Sequence, residues 1–358
     1  MGLTPPCNIL RVHIQENVPL APLTTLKVGG PARYFVQAHT VGEVHEAVDY
    51  ARTRNLPLFV LGGGSNLLVS DNGWPGLVLK IAITGINHEG HHPVRFEAGA
   101  GEDWDQFVAL TLKHNCAGLE CLSGIPGSVG ATPVQNVGAY GQEVSQTIDS
   151  VQVLDITTGT ETELFNDECQ FKYRTSIFNT TQRGRYIITR VNYLLTHGGE
   201  PQIAYADLKN YFAGRSTPPT LAEAREAVLK IRAGKAMLIT PGDEDSRSAG
   251  SFFKNPLLSH EQYQQLHQRA AARGLEIPNY PALDAQHKVS AAWLVEHSGF
   301  SKGYCNGAVG ISRKHALAIV NRGGAKAADI VALKNQIQTS VLQTWGISLD
   351  PEPVMVGF

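Results

Sequence analysis

The sequence carries almost no net charge. Lys and Arg number 30 against 32 Asp and Glu, which leaves −2 at neutral pH. No basic face is expected, and nucleic acid is disfavoured as a partner. Cysteine is scarce: Cys7, Cys116, Cys121, Cys169 and Cys305 form an odd set without a CxxC pair. This argues against a disulfide framework or a zinc site and for a reducing compartment. Histidines are scattered, HExxH is absent, and the one adjacent pair, His91-His92, reads as an exposed loop, so no metal is expected. No apolar run is long enough for a membrane span. Residues 121–142 lack Asp, Glu, Lys and Arg, but Gly124, Pro126, Gly127, Gly130, Pro133, Gly138 and Gly141 break them up. A spanning helix needs ~20 mostly apolar residues. The N-terminus also lacks the apolar core of a signal peptide. A cytoplasmic protein without membrane insertion is expected. The pattern does not set the oligomeric state, and a monomer is the preferred expectation.

Glycine, by contrast, is abundant, at 36 of 358 residues. The glycines gather in blocks without a period, which excludes a collagen-like chain and indicates tight turns or backbone lying close to a ligand. A hydrophobic fraction of 42% is ordinary for packed cores. The length suggests two or three domains.

The first third reads as an α/β unit. Arg33–Ala38 alternates like a strand, and Thr40 opens a helix whose capping box would be completed by Glu43. Val41, Val44, Val48 and Ala51 give that helix one apolar face. Short strands follow at Leu58–Leu61 and Gly76–Ile81. Further on, strands are predicted at Val94–Ala98 and Tyr186–Leu195, with a hairpin of Val151–Ile156 and Glu161–Leu164 around Thr158-Gly159. A helix stripe runs through Trp104, Phe107, Val108, Thr111 and Leu112. Residues 196–219 are polar and read as a loop or lid, and Thr220 with Glu223 caps a helix to about Ile231. Residues 235–248 suit a domain junction. The last third holds helices near 260–273 and 291–297, a strand at 316–320, and a long helix from about 327 to 344 with Ile330, Leu333, Ile337 and Val341 on one face.

Three glycine-bearing segments carry the chemistry. Gly62-Gly63-Gly64-Ser65-Asn66 offers successive N–H groups without bulky side chains, a nest for phosphate. It fits neither the Walker pattern nor GxGxxG, so a nucleoside triphosphatase or ordinary dinucleotide fold is disfavoured. Read alone, it is equally a plain turn. The charge-free 121–142 segment holds Gln135, Asn136 and Tyr140, whose polar groups need partners that a flat heteroaromatic ring could supply; a tight core crossing is the other reading. Ala249-Gly250-Ser251-Phe252-Phe253-Lys254-Asn255-Pro256 sets a hydroxyl beside a flexible glycine, with two aromatics to exclude water.

These segments occur in order with Thr24-Thr25-Leu26-Lys27-Val28-Gly29-Gly30-Pro31-Ala32, Gln135-Asn136-Val137-Gly138-Ala139-Tyr140-Gly141 and Tyr173-Arg174. Together they resemble the UDP-N-acetylenolpyruvoylglucosamine reductase (MurB) family of peptidoglycan synthesis, over nearly the whole chain. The resemblance implies an α+β (mixed α/β) protein: an FAD-binding fold of the vanillyl-alcohol oxidase type in two subdomains, plus a C-terminal α+β substrate-binding domain. The expected boundaries are 1–82 and 83–236 for the two FAD subdomains, 237–346 for the substrate domain, and 347–358 for a segment returning to the active site.

The resemblance further implies a non-covalent FAD, NADPH as reductant and a UDP-sugar as substrate. Hydride would reach the enolpyruvyl group by way of the flavin, giving UDP-N-acetylmuramate. FAD would be held by Gly62, Gly63, Gly64, Ser65, Asn66, Gly124, Ile125, Pro126, Gly127, Ser128, Gly130 and Gly138. Arg174 and a protonated Glu352 would stabilise the enolate, and Ser251 would give a proton to the carbon beside the carboxylate. Tyr140, Tyr173, Tyr205, Arg232, Lys235 and Asn255 would bind the sugar nucleotide. Two features depart from the family pattern: the tail after Glu352 reads Pro353-Val354-Met355 rather than acidic then basic, and Cys305-Asn306 stand where a longer polar side chain is common.

Two other functions compete. A flavin oxidase acting on an alcohol or sugar would have no use for the Ser251 motif. A non-catalytic flavin or UDP-sugar module would not need Ser251, Arg174 and Glu352 together.

Overall fold

The computed structural model describes residues 12–280 and 286–358, so Cys7 lies outside the described residues. The chain forms two compact units, each drawn from separate stretches of sequence. The first is built on Ala32–Gly63 and Trp74–Arg232 with the described part of Met1–Val18. The second comprises Pro19–Pro31, Gly64–Gly73 and Ala233–Phe358. The two expected FAD subdomains thus contribute chiefly to one unit, and short excursions of the early sequence join the other.

Two larger sheets frame the first unit. One has the strand order Gln15–Pro19, Pro31–Ala38, Trp74–Ile81, Leu58–Leu61. Pro31–Ala38 and Leu58–Leu61 both run parallel to Trp74–Ile81. A parallel neighbour requires a crossover, and the helix Val41–Thr53 supplies it, burying Val44, Ala47 and Ala51. Its first turn differs from the expected capping box. Thr40 Oγ accepts the Glu43 N–H at 3.2 Å, but the Glu43 carboxylate takes the N–H of His39 at 2.6 Å, one residue earlier. The second sheet runs Thr160–Phe165, Ile148–Asp155, Tyr186–His197, Val94–Gly99, Ile86–Glu89. Its pairings are antiparallel. The helix Trp104–Lys113 buries Trp104, Phe107, Val108 and Thr111. Trp104, Phe107 and Val108 join Phe96 and Tyr193 in one continuous core.

The second unit packs the helices His260–Ala271, Ala291–Glu296 and Ala327–Trp345 with small antiparallel sheets. Ile330, Leu333, Ile337 and Val341 of the long helix are essentially fully buried. Asp71 caps that helix from 256 residues away, its carboxylate accepting the Ala327 N–H at 2.8 Å and the Ala328 N–H at 3.0 Å. An acidic group here satisfies two of the orphan donors of the first turn and opposes the helix dipole. Gly346, with φ +74°, ends the helix in the left-handed conformation. The strand expected at 316–320 lies later, at Ile319–Asn321, and pairs with Val309–Ile311. Residues 316 and 317 turn instead, because the Ala318 N–H folds back to the His315 carbonyl at 3.2 Å. Among the described residues no helix is long and apolar enough to cross a membrane.

Candidate active site

The first unit brings two of the glycine segments together. Gly62 and Gly63 lie against Gly127 and Ser128: a Cβ on Gly63 would fall 2.4 Å from Gly127 Cα, and one on Gly62 would fall 2.9 Å from Ser128 Oγ. The 127–130 stretch is pinned from its other side. Trp104 N–H donates to Gly127 O at 3.2 Å, Val129 N–H to Glu102 O at 2.9 Å and Gly130 N–H to Ala100 O at 2.9 Å. Ser128 Oγ is buried and, among the described residues, has no hydrogen-bond partner. A buried hydroxyl without a partner loses its hydration without compensation. This polar atom, set where glycine leaves no side chain over the backbone, fits a ligand rich in acceptors such as the diphosphate of FAD.

Downstream, Gly124 is fastened to the helix Trp104–Lys113 through its N–H, which donates to Asp105 Oδ1 at 2.5 Å. Asp105 also takes both arms of Arg225, at 2.7 and 2.8 Å. Burial would raise the Asp105 carboxyl, but the Arg225 hydrogen bonds, the Gly124 N–H and the charges of Arg225 and Arg232 outweigh it and hold the group below the usual range. The sign follows directly. A carboxyl whose folded pKa lies below its unfolded value of about 3.9 contributes stability above that value and loses it as pH falls through the folded pKa. Asp105→Asn is therefore expected to lower the thermal midpoint at pH 7, with the gap to the parent closing as pH falls below about 4. A gap that stays constant with pH would refute the assignment.

Arg232 is almost completely buried, and burial lowers its pKa, opposed by the Tyr140 hydroxyl that bonds to it and by the charge of Asp105. Tyr140 has φ +50°, costly for an aromatic residue, and packs edge to face on Tyr205 with ring centroids 5.6 Å apart. Tyr205 is 43% exposed and precedes the helix Ala206–Tyr211, whose Leu208 is buried with Tyr140, Cys121 and Val228. The expected loop at 196–219 is therefore partly regular. Its base is tied by Gln202, whose N–H donates to buried Glu120 at 2.8 Å; Glu120 also accepts from Gln142 at 2.6 Å. Burial, reinforced by Glu120, pushes the Cys121 thiol up to about 12, so it is no nucleophile at neutral pH.

Arg174 has φ +57° within a tight turn and sends Nη2 to the Gly138 carbonyl at 2.7 Å. Its guanidinium carbon lies 5.2 Å from the centre of the Tyr173 ring. Asn136 falls to the structural reading. Its amide nitrogen donates to Glu143 at 2.8 Å and to Lys172 O at 3.1 Å, and its oxygen accepts from Ser145 N–H at 3.1 Å. These bonds lock the turn.

In the second unit Asn66, the Ser251 segment and Glu352 meet. The Asn66 side chain donates to Glu352 O at 3.2 Å, Glu352 N–H donates to Phe252 O at 2.9 Å, and Lys254 N–H donates to Asp350 O at 2.9 Å. The final strand Val354–Val356 then runs parallel to Leu67–Val69. Glycine is required at 64 on two counts, a φ of +69° and a Cβ position that would stand 1.9 Å from Leu23 O, and Thr25 N–H closes the loop on Gly64 O at 3.1 Å. Ser251 follows Gly250, at φ +73°, and precedes Phe252 and Phe253, both buried. Its Oγ lies 3.0 Å from His315 Nε2. Asn255 Oδ1 accepts the Ala291 N–H at 2.9 Å, at the start of a helix. Lys235 is half-buried just before Ala236, which has φ +51°. Among the described residues no group of three or more His, Cys, Asp or Glu could hold a metal.

Comparison with known proteins covers both parts. An FAD binding domain model matches residues 32–164, and the model of the UDP-N-acetylenolpyruvoylglucosamine reductase C-terminal domain matches 241–356. The reductase of Streptomyces avermitilis is 46% identical over 356 residues, covering 97% of this chain and 96% of that protein. The Thermobifida fusca reductase is 45% identical over 349 residues, covering 96% and 98%. The crystal structure of the Thermus caldophilus reductase superposes with a TM-score of 0.66 at 26% identity, covering 97% of this chain and 99% of that one.

Proposed function

The chain belongs to the UDP-N-acetylenolpyruvoylglucosamine reductase family of flavin-dependent oxidoreductases, and we propose that Ser251, Arg174 and Glu352 carry out its reduction of enolpyruvyl-UDP-N-acetylglucosamine. The observation that supports this reading is the meeting of Asn66, Phe252 and Glu352 in one hydrogen-bonded cluster, although 286 residues separate Asn66 from Glu352. A turn residue or a solvated tail has no need of that arrangement.

FAD supplies hydride chemistry to this reaction, and NADPH is the proposed source of the electrons. Gly62, Gly63, Gly64, Ser65, Asn66, Gly124, Ile125, Pro126, Gly127, Ser128, Gly130 and Gly138 are the proposed FAD contacts. The remaining steps fall to the chain's own side chains. Arg174 is proposed to hold the substrate carboxylate in two parallel hydrogen bonds, which keeps it in place while charge builds up there. Glu352 assists only as the protonated acid, since a second negative charge would oppose the enolate. Ser251 donates its hydroxyl proton to the carbon beside the carboxylate, where placement matters more than acidity. Phe252 and Phe253, both buried directly after the serine, are proposed to keep competing water away. Tyr140, Tyr173, Tyr205, Arg232, Lys235 and Asn255 are proposed to bind the sugar nucleotide. The product is a cell-wall precursor, and the proposed compartment is the cytoplasm.

A visible spectrum tests the reading. Under anaerobic conditions the flavin bands of the protein are expected to bleach with NADPH and to return on adding the enolpyruvyl sugar. Return with oxygen alone would move the assignment to an oxidase. Failure to take up FAD would move it to a binding module without this chemistry.

A further inference from the structure

We propose that His315 is the positioning residue for Ser251, holding the serine oxygen by a hydrogen bond from Nε2. The inference rests on the reading of Ser251 as the proton donor. It starts from a distance: Ser251 Oγ and His315 Nε2 are 3.0 Å apart, although 64 residues separate them in sequence.

Both partners are fixed by backbone bonds, so the contact belongs to the fold. His315 lies in the turn 312–318 between the strands Val309–Ile311 and Ile319–Asn321. Ser312 N–H closes that turn on Ala318 O at 2.9 Å, and Lys314 N–H donates to Ser312 Oγ at 3.1 Å. Asp245, only 1% exposed, braces it from below, accepting the Arg313 N–H at 3.1 Å and Nε–H at 2.8 Å. The serine segment docks on the same turn, with Phe252 N–H donating to Leu317 O at 2.8 Å. Asp245, Arg313 and Leu317 together set where His315 meets Ser251.

The chemistry assigns the direction of the bond. A serine hydroxyl has one proton. If that proton went to His315, it could not be delivered to the substrate. With hydrogen on Nε2 instead, the ring donates to Oγ and leaves the hydroxyl proton directed at the substrate carbon. In the transfer, the enolate electron pair forms the new C–H bond. The O–H bond breaks and its electrons stay on Oγ. The Nε2–H bond stabilises that developing alkoxide, and a proton from solvent then restores the hydroxyl. Donors already aimed at developing charge need no reorganisation during the step.

The test compares His315→Ala, His315→Gln and Ser251→Ala in the FAD-loaded protein. His315→Ala is expected to slow return of the flavin bands with the enolpyruvyl sugar by about 10- to 100-fold, the worth of one hydrogen bond to a charged partner. KM for the sugar and the rate of bleaching by NADPH should stay near the parent values, which also reports an intact fold. His315→Gln, whose amide can donate from a similar place, should recover much of the rate. A second readout needs no turnover: the imidazole 15N signals of His315, assigned by their loss in His315→Gln, should show hydrogen on Nε2 and should move in Ser251→Ala. The inference is overturned if His315→Ala keeps the parent rate, if His315→Gln is no better than alanine, or if Nε2 carries no hydrogen. The outcomes separate the two readings. A parental rate in Ser251→Ala sinks the serine as donor, whereas a slow Ser251→Ala beside an unaffected His315→Ala sinks only the histidine.

Discussion

Ser251→Ala is expected to leave NADPH-driven bleaching of the flavin at its parent rate while slowing the return of the bands with enolpyruvyl sugar by about 10²–10⁴-fold, the usual worth of a positioned acid. The split follows from where the hydroxyl acts. It has no part in accepting electrons from NADPH, so the first half-reaction should not register its loss. Proton delivery belongs to the second half-reaction alone. Packing changes little, because removing one oxygen beside Gly250 opens no large cavity and Phe252 and Phe253 remain buried. In deuterated solvent the parent should place deuterium at the carbon beside the carboxylate. If the alanine variant turned over at the parent rate in both halves, Ser251 would be a turn residue, and the acid would have to be sought elsewhere.

The parts of this arrangement that sequence could reveal are those with a local period or a local spacing. Ile330, Leu333, Ile337 and Val341 recur at helical intervals, and all face the core. Thr220 and Glu223 form the expected reciprocal cap, the Glu223 carboxylate taking Thr220 N–H at 2.8 Å and Thr220 Oγ taking Glu223 N–H at 3.2 Å. Partners brought together by tertiary structure leave no such trace. Asp105 meets Arg225 across 120 residues, and nothing near either residue announces the pair. His315 reads as one scattered histidine until the turn at 312–318 sets it on Ser251. The Ala316–Val320 run is hydrophobic enough for a strand, but the turn closed on His315 O delays the strand to Ile319. Asn136 is open to two readings in sequence because an amide in a charge-free loop needs partners in either case, and its partners Glu143, Lys172 and Ser145 come from the fold.

Gly63→Ala is expected to be strongly damaging to the first unit, and the reason differs from the one its sequence motif suggests. A nest for phosphate would need glycine for the approach of a ligand. The geometry already requires it for the approach of the chain. The added Cβ would fall 2.4 Å from Gly127 Cα, 2.6 Å from Gly127 C and 2.8 Å from Ser128 N, all backbone atoms that cannot rotate aside. The opposing stretch cannot retreat cheaply, because Trp104, Val129 and Gly130 N–H groups hold it in place. Overpacking of this kind costs about 1–3 kcal/mol. If the loops open to relieve it, the same energy appears as FAD affinity weaker by about 10- to 100-fold. Gly42→Ala is the control. Gly42 is exposed in the first turn of a helix, its Cβ would meet only Thr40 Oγ at 3.9 Å, and substitution there should be neutral or mildly stabilising, by at most about 1 kcal/mol. Measured by flavin content after purification and by thermal midpoint, the two variants should move in opposite directions or differ widely. Parental FAD retention in Gly63→Ala would mean that the crossing of Gly63 over Gly127 is not what holds the two glycine segments in register.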